Sequence, residues 1–416
     1  SSIIAFRIIQ GIGAGTVIPV SQAILRESFP FEEQGIAMGV FGFGIMFGPA
    51  LGPIVAGWLT DHYSWPWVFY LNVPIGAAAL LLTVIFIHDP PYLMREKGKI
   101  DFPGIVLMII GFGALQIMLE RGERNDWFGS RDIVVLFVIS LAGIILFVLR
   151  EIFTEKPAVD LRLLRNTTFA TASALGAVLG MGLMTGIFLM PLFLQKLLGF
   201  PAIDSGIALL PRSIALAIAM PLAGLFYNRI GPVILVGAGL LISAVSFCQL
   251  SCMSINVGFW DVFFPQFWQG VGFGLLFVPL TTAALERIDR SDVTAASGLY
   301  NFFRQVASSI GLAAAASLLT RGVNKYRAIL AENVSDGNPV THDRMQALSG
   351  VLGRVEGDPV GLQDKVLKLL DGEVMRQASV LSYNNVYYLS AWLYVFAIPF
   401  VLLLRAKREA QKPSGT

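Results

Sequence analysis

The chain has 416 residues, 55% of them hydrophobic and only 14% charged, where an average soluble domain carries about 25% charged residues. This excludes an ordinary soluble globular domain and predicts an all-α integral membrane protein that crosses the bilayer many times. The net charge of +2 is too small to point to nucleic acid or another charged partner.

A window of about 19 residues finds eleven apolar segments: Ile3–Leu25, Ile36–Leu59, Trp67–Ile87, Phe102–Leu119, Ile133–Ile152, Phe169–Leu194, Ile207–Phe226, Val233–Met253, Phe259–Ala284, Thr294–Leu319 and Tyr387–Leu404. Short separators with turn chemistry divide them, such as Asp89-Pro90-Pro91 and Gly231-Pro232. No Met and no basic leader precedes the first segment, so the chain is expected to begin partway into a longer protein. Alternate loops and the tail 405–416 collect Arg26, Arg95, Lys97, Lys99, Arg150, Lys156, Arg162, Arg165, Arg229, Arg287, Arg290, Arg405, Lys407, Arg408 and Lys412, while the opposite short loops hold Arg121, Arg124, Arg131 and Lys196. The positive-inside rule makes the first set, and the C-terminus, cytoplasmic. A polar stretch, 321–385, then falls outside; it reads as a partly helical surface cap or as a docking surface for a partner protein.

In the second segment Gly44, Gly48 and Gly52 recur every fourth residue, with Pro49 and Pro53 each following a glycine. Such a helix presents a bare face to a close neighbour and is bent by its prolines, which a bilayer tolerates where neighbours re-satisfy the backbone. The chain also repeats itself at a shift of 259 residues: Gln10-Gly11-x-Gly13-x-Gly15 matches Gln269-Gly270-x-Gly272-x-Gly274, Ala37-x-Gly39 matches Ala296-x-Gly298, and Gly52 matches Gly311. The shift covers eight segments, so the copies run in the same direction, as in two-bundle transporters with a site between the halves.

Ionisable residues inside spans are costly and therefore candidates for function. Arg7 shares a face with Gln10, and Arg304 with Asn301, Gln305 and Ser308; a transport path or a structural inter-helix anchor would each use them. Arg212, near the outer end of its span, is expected to reach outward. Met181, Met184, Phe188 and Phe302, with the amides Gln195, Gln266 and Gln269, are candidates for lining an adaptable substrate cavity, against bundle packing or lipid contact. Cys248 and Cys252 read as small packers on one buried helix. His62, His88 and His342 lack metal-ligand spacing and no P-loop is present, so neither a metal, another cofactor nor an enzyme activity is expected. No Asp or Glu falls in the middle of a span.

Several stretches resemble the major facilitator superfamily. Phe6-Arg7-Ile-Ile-Gln10-Gly11-Ile-Gly13-Ala14-Gly15 is similar to its motif B, and Gly44-x-x-x-Gly48-Pro49-x-x-Gly52-Pro53 to motif C, the antiporter motif, with Pro53 in place of the usual second Gly. Trp65-Pro-Trp67 through Asn72-Val73-Pro74-Ile75-Gly76 resembles the sixth-helix entry of fourteen-span drug:proton antiporters of the EmrB/QacA type, and Gly224-Leu-Phe-Tyr-Asn228-Arg229-Ile-Gly231 a degraded motif A. The resemblance implies two parallel helical bundles with two extra central helices: residues 1–88 as the rest of the N-terminal bundle, 89–165 as the extra pair, and 166–404 as a six-helix C-terminal bundle. It implies an exporter of amphipathic or cationic drugs or toxic metabolites in the bacterial inner membrane, driven by the proton gradient. Arg7, Gln10, Asn301, Arg304 and Gln305 would lie on the transport or proton path, and Gly44, Gly48, Pro49, Gly52 and Pro53 would form the hinge. A periplasmic adaptor and outer-membrane channel would meet the outer loop. A uniporter or symporter, and a non-transporting membrane sensor or scaffold, are the competing functions.

Overall fold

The computed structural model describes residues 2–30, 32–87, 101–154, 157–289, 292–332, 334, 338–352 and 359–405. His88, Arg95, Lys97, Lys99, Lys156, Arg290, the tail from 406 and the side chains of Pro49 and Pro53 lie outside the described residues. Among the described residues every regular element is helical: α1 (Ser2–Ser28), α2 (Gln34–His62), α3 (Trp67–Tyr70), α4 (Asn72–Phe86), α5 (Phe102–Arg121), α6 (Arg131–Phe153), α7 (Thr167–Lys196), α8 (Ala202–Ile207), α9 (Leu210–Ile230), α10 (Pro232–Leu250), α11 (Phe259–Glu286), α12 (Val293–Glu332), α13 (Pro339–Leu352) and α14 (Pro359–Ala397), with short 3-10 turns between and after them. Ten described stretches are long and apolar enough to cross a membrane. The remaining expected segment, Ile36–Leu59, falls inside the 29-residue α2, whose described apolar part is Gln34–Ile45.

The buried core sits in the C-terminal helices. It is built from α7, α9, α10, α11, α12 and α14, with Ala23 of α1 and Met38 of α2 at its edge. Helix α7 is the hub, because its glycines admit a different neighbour at each turn: Gly176 and Gly180 receive Tyr300 and the Arg304 backbone of α12, Gly182 receives Tyr394 of α14, and Gly186 receives Arg212 of α9 and Gln269 of α11. In a bilayer, where lipid competes equally for apolar contact, such close approaches supply most of the association. Asn166 starts α7 by accepting from the Thr168 and Phe169 amides. Gly231, at φ +86°, turns the chain sharply from α9 into α10 in a conformation suited to glycine.

The internal repeat uses its glycines differently in its two copies: Gly39 packs on Pro221 while its counterpart Gly298 has open space, and in the other pairs the second copy makes the contact. Gly270 and Gly274 press α11 onto α9, and Gly272 presses it onto α10, whereas Gly11, Gly13 and Gly15 of α1 have open space beside them. Likewise Gly311 packs on Met181 while Gly52 faces nothing within 4 Å. Helices α5 and α6 cross glycine on glycine, with a Cβ on Gly143 meeting Gly111 Cα at 2.7 Å.

One expectation is refined here and one changes. The polar stretch 321–385, expected as a partly helical surface cap or a docking surface, is largely the continuation of two spans: α12 runs 40 residues and α14 runs 39, each about 60 Å at 1.5 Å per residue against a hydrocarbon core of about 30 Å. Their projecting ends are tied by Arg327–Asp371 (2.8 Å), and α13 joins α14 through Arg344–Glu373 (2.5 Å). Cys248 and Cys252 are exposed, and Cys252 lies past the end of α10, because the face they share points away from the core.

Between α5 and α6, Asp126 and Trp127 both adopt positive φ (55° and 45°), a strained pairing for non-glycine residues. The Trp127 indole offsets this strain by donating to Glu123 (2.9 Å) and to Ser317 of α12 (2.8 Å). Partial burial raises the Glu123 pKa, but hydrogen bonds from Ser317, Trp127 and Thr320, together with the Arg321 charge, outweigh it and hold the carboxyl below its usual range. A depressed folded pKa stabilises above the unfolded value and is lost as pH falls through the folded one. Glu123→Gln is therefore expected to lower the unfolding midpoint in detergent at neutral pH, with the difference from the parent vanishing as pH drops below the carboxylate range.

Backbone approach also joins the N-terminal helices to the core. A Cβ on Gly35 of α2 would sit 2.5 Å from Gly224 O of α9, one on Gly39 would sit 2.8 Å from Pro221 Cα, and one on Gly42 2.8 Å from Met220 Sδ. Gly224→Val should push α2 off α9 at a cost of about 1–3 kcal/mol for overpacking, seen as a lower unfolding midpoint. Gly237→Val, with open space around it, should leave the midpoint unchanged.

Candidate functional site

One end of the bundle gathers Arg26, Arg229 and Arg287, and there the N-terminal helices close onto the C-terminal ones. Arg26, in the last turn of α1, donates to the Glu286 (3.0 Å) and Ile288 (3.1 Å) carbonyls, placing a cation where the α11 dipole ends negative. Gln34 reaches back to the Arg26 carbonyl (3.0 Å). Asn228, in the motif A echo, donates to the Glu32 carbonyl of the α1–α2 turn (2.7 Å), and Tyr227 donates to Glu286 (2.8 Å).

Above this layer runs a polar chain between α1 and α12. Gln22 is fully buried, and its Oε1 accepts from Ser297 (2.7 Å) and Asn301 (2.8 Å). Asn301 Oδ1 then accepts from Arg304 Nη2 (2.8 Å), whose guanidinium lies over the Phe277 ring (4.8 Å) and near Tyr300 (5.9 Å). Spacing on α12 places Ser297, Asn301 and Arg304 on one stripe, and Gly180 of α7 lets that stripe sit deep. The chain ends in buried donors without a partner, Gln22 Nε2 and Arg304 Nη1. Inter-helix hydrogen bonds in membranes average about 0.6 kcal/mol, so the two bonds on Gln22 contribute roughly 1 kcal/mol to holding α1 against α12.

The expected site residues are distributed rather than gathered. Asn301 and Arg304 join the chain above, while Gln305 is exposed. Arg7 is exposed, donates to Gln10 (2.9 Å) and stacks on Phe69 of α3 (4.6 Å). It lies 15 residues from Gln22, about 22 Å along α1, so Arg7 and Arg304 do not meet. Gly44, Gly48 and Gly52 are exposed with nothing within 4 Å; the close approach falls instead to Gly35, Gly39 and Gly42 of the same helix. Met181 packs at Gly311, Phe302 packs edge-on to Phe112 of α5 (4.6 Å), Met184 is half-buried and Gln195 exposed. Phe188 lines a pocket of about 660 Å³ with Lys196, Arg376 and Tyr383. Gln266 and Gln269 are fully buried.

Arg212 corrects its expectation: it does not reach outward but is 6% exposed and donates to Gln269 Oε1 (3.4 Å). A Cβ on Gly270 would overlap the Arg212 carbonyl, so the α9–α11 crossing fixes this backbone facing inward. Sequence reasoning missed Gln22 and Ser297; an amide in an otherwise apolar stretch of α1 was the available signal.

Residues 1–312 match the sequence family described as Major Facilitator Superfamily. The chain is 32% identical over 409 residues to the fatty acid resistance protein FarB of Neisseria gonorrhoeae, covering 97% of this chain and 78% of that protein. It is 32% identical over 400 residues to the multidrug export protein EmrB of Escherichia coli (strain K12), covering 96% and 76%. A multidrug resistance protein B homolog of Mycobacterium tuberculosis is 32% identical over 335 residues, covering 79% and 61%.

Gln22→Leu removes both bonds between α1 and α12 at the closed end. In a background with Cys248→Ser and Cys252→Ser, a thiol placed at the buried Val293 should then react with a water-soluble maleimide about five- to tenfold faster than with Gln22 present, following the roughly 1 kcal/mol lost. An unchanged rate would assign the polar chain to packing alone.

Proposed function

Because the chain belongs to the Major Facilitator Superfamily, we propose that it exports amphipathic small molecules across the plasma membrane by exchange for protons. The basic end is cytoplasmic under the positive-inside rule, and the C-terminus with it, so the arrangement described here is closed to the cytoplasm. The observation that carries this reading is the two-layered closure of that end, by Gly35–Gly224 backbone contact and by the Gln22–Asn301–Arg304 chain, while most of α1 beyond it is exposed. A weak, reversible closure between two helix groups is what alternating access needs.

The names of the relatives, a fatty acid resistance protein and multidrug export proteins, support amphiphiles as cargo. For cationic compounds, the described C-terminal bundle offers no buried Asp or Glu. The inner glycines of α2, Gly35 to Gly42, act as the fulcrum against α9. The outer stretch, Gly44, Gly48, Pro49, Gly52 and Pro53, is the face that closes in the opposite state. The projecting helices α12, α13 and α14 form the surface for a periplasmic adaptor, around a pocket of about 490 Å³ lined by Leu330, Val340 and Leu370 with Arg344 and Glu373.

In proteoliposomes with an internal pH dye, adding an amphipathic substrate should produce proton flux opposite to and proportional with substrate flux. Gly48→Leu fits the present arrangement, where nothing lies within 4 Å, and is expected to abolish both fluxes by blocking the alternative state while membrane insertion is kept. Substrate flux without proton flux would refute antiport, and normal transport by Gly48→Leu would return that face to simple packing.

A further inference from the structure

Arg212 is a buried cation for which the closure of the basic end has no use. It sits in the first turn of α9, at the opposite end of the bundle from Arg26, and is held between three helices. Gly186 of α7 packs closely on it, a Cβ there meeting Nη1 at 3.1 Å and Gln269 Oε1 also at 3.1 Å. Gly270 of α11 fixes its backbone from the other side. Tyr387 of α14, fully buried and donating to Met190 Sδ (3.7 Å), is close enough to interact with its charge.

Among the described residues no carboxylate pairs with Arg212; the nearest-end acids, Asp204 and Asp261, are exposed, and Asp261 accepts the Gly258 amide. The hydrogen bond to Gln269 is long. On the amide that accepts from Arg212, Nε2 of Gln269 is buried without a partner, and so are both amide atoms of Gln266, three residues earlier on the same face of α11. A buried ion left unpaired costs several kcal/mol, and buried amides without partners add to that cost. Water would satisfy the amides without neutralising the guanidinium. An anion would neutralise the guanidinium and accept from Gln269 Nε2 and Gln266 Nε2, leaving the Gln266 Oε1 acceptor to a water.

We propose that Arg212, Gln266 and Gln269 form an anion site inside the C-terminal bundle, taking a monovalent oxyanion or halide: the carboxylate head of a transported amphiphile or a free inorganic anion. Only the amphiphile source rests on the export reading above. The site deepens that reading by giving an acidic cargo a fixed cation on the side of the bundle away from the closed end.

The test is the thermal unfolding midpoint of the full chain in neutral detergent, titrated separately with sodium chloride, sodium acetate, sodium decanoate and decanol. A saturable rise with an anion, weakened at least about tenfold by Arg212→Gln as a charge-assisted contact is lost and largely restored by Arg212→Lys, supports the site. Should Arg212→Gln not yield folded protein, Gln269→Leu, which keeps the charge, carries the same expectation. A stronger effect of decanoate than of acetate, competed by chloride and absent with decanol, identifies an amphiphile's carboxylate; an effect of chloride with decanoate no better than decanol identifies an inorganic anion. No saturable anion effect, or one equal in Arg212→Gln, overturns the proposal. Because binding is read without transport, failed antiport in vesicles would leave this result standing.

Discussion

Helices in a bilayer are held together by how closely their backbones can approach, since apolar side chains gain little by leaving lipid for one another. In this chain glycine decides where that approach occurs. Helix α7 meets α9, α11, α12 and α14 through four glycines within eleven residues, and α11 meets α9 and α10 through three more. The buried charges and amides follow from those crossings. Arg304 sits deep because Gly180 admits α12, and Arg212 points inward because Gly270 admits α9. The α2–α9 contact at Gly35 and Gly224 has the same construction, but it joins two helix groups rather than building one.

That difference separates the C-terminal body from the helices docked on it. The C-terminal helices share one continuous core, in which, among the described residues, α1 and α2 bury Ala23 and Met38, with Leu25, Phe41 and Ile45 packed against it. What holds them at the basic end is a backbone contact, a cap on α11 and a short polar chain, each modest in energy. A closure of this kind can be opened by a ligand with a few kcal/mol of differential affinity, which a fused core could not. Arg304 belongs to the polar chain at the basic end, while Arg212 lies near the opposite end of the bundle.

Much of this was legible in the sequence, because hydropathy, turn residues and repeat spacing are local properties. Eight of the ten described spans lie within a few residues of the expected segments, while the last two run on well beyond them, and the shift of 259 residues pairs α1 with α11 and α2 with α12, which run in matching directions. The projection of α12 and α14 was not legible: a polar sequence such as Arg321 to Glu332 gives no hydropathy signal, and that it runs alongside α14, with Arg327 paired to Asp371, is a long-range contact. Arg212 near a span end reads as a snorkelling residue until the Gly270 crossing is seen to turn it inward. Gln22 acquires its meaning only when Ser297 and Asn301, more than 270 positions away, are brought against it. The periodic glycines of Gly44 to Gly52 predicted a close neighbour; in this arrangement that neighbour meets the preceding glycines of the same helix.

The central claim is that the basic end is a reversible closure between α1 and α12. The direct measurement is the distance between spin labels at the exposed positions Ser28 and Thr294, taken by pulsed electron resonance across pH and with a bound amphiphile. Two distance populations, the shorter matching the closed arrangement and their ratio shifting with pH or ligand, are predicted. A single short distance under every condition would contradict the account.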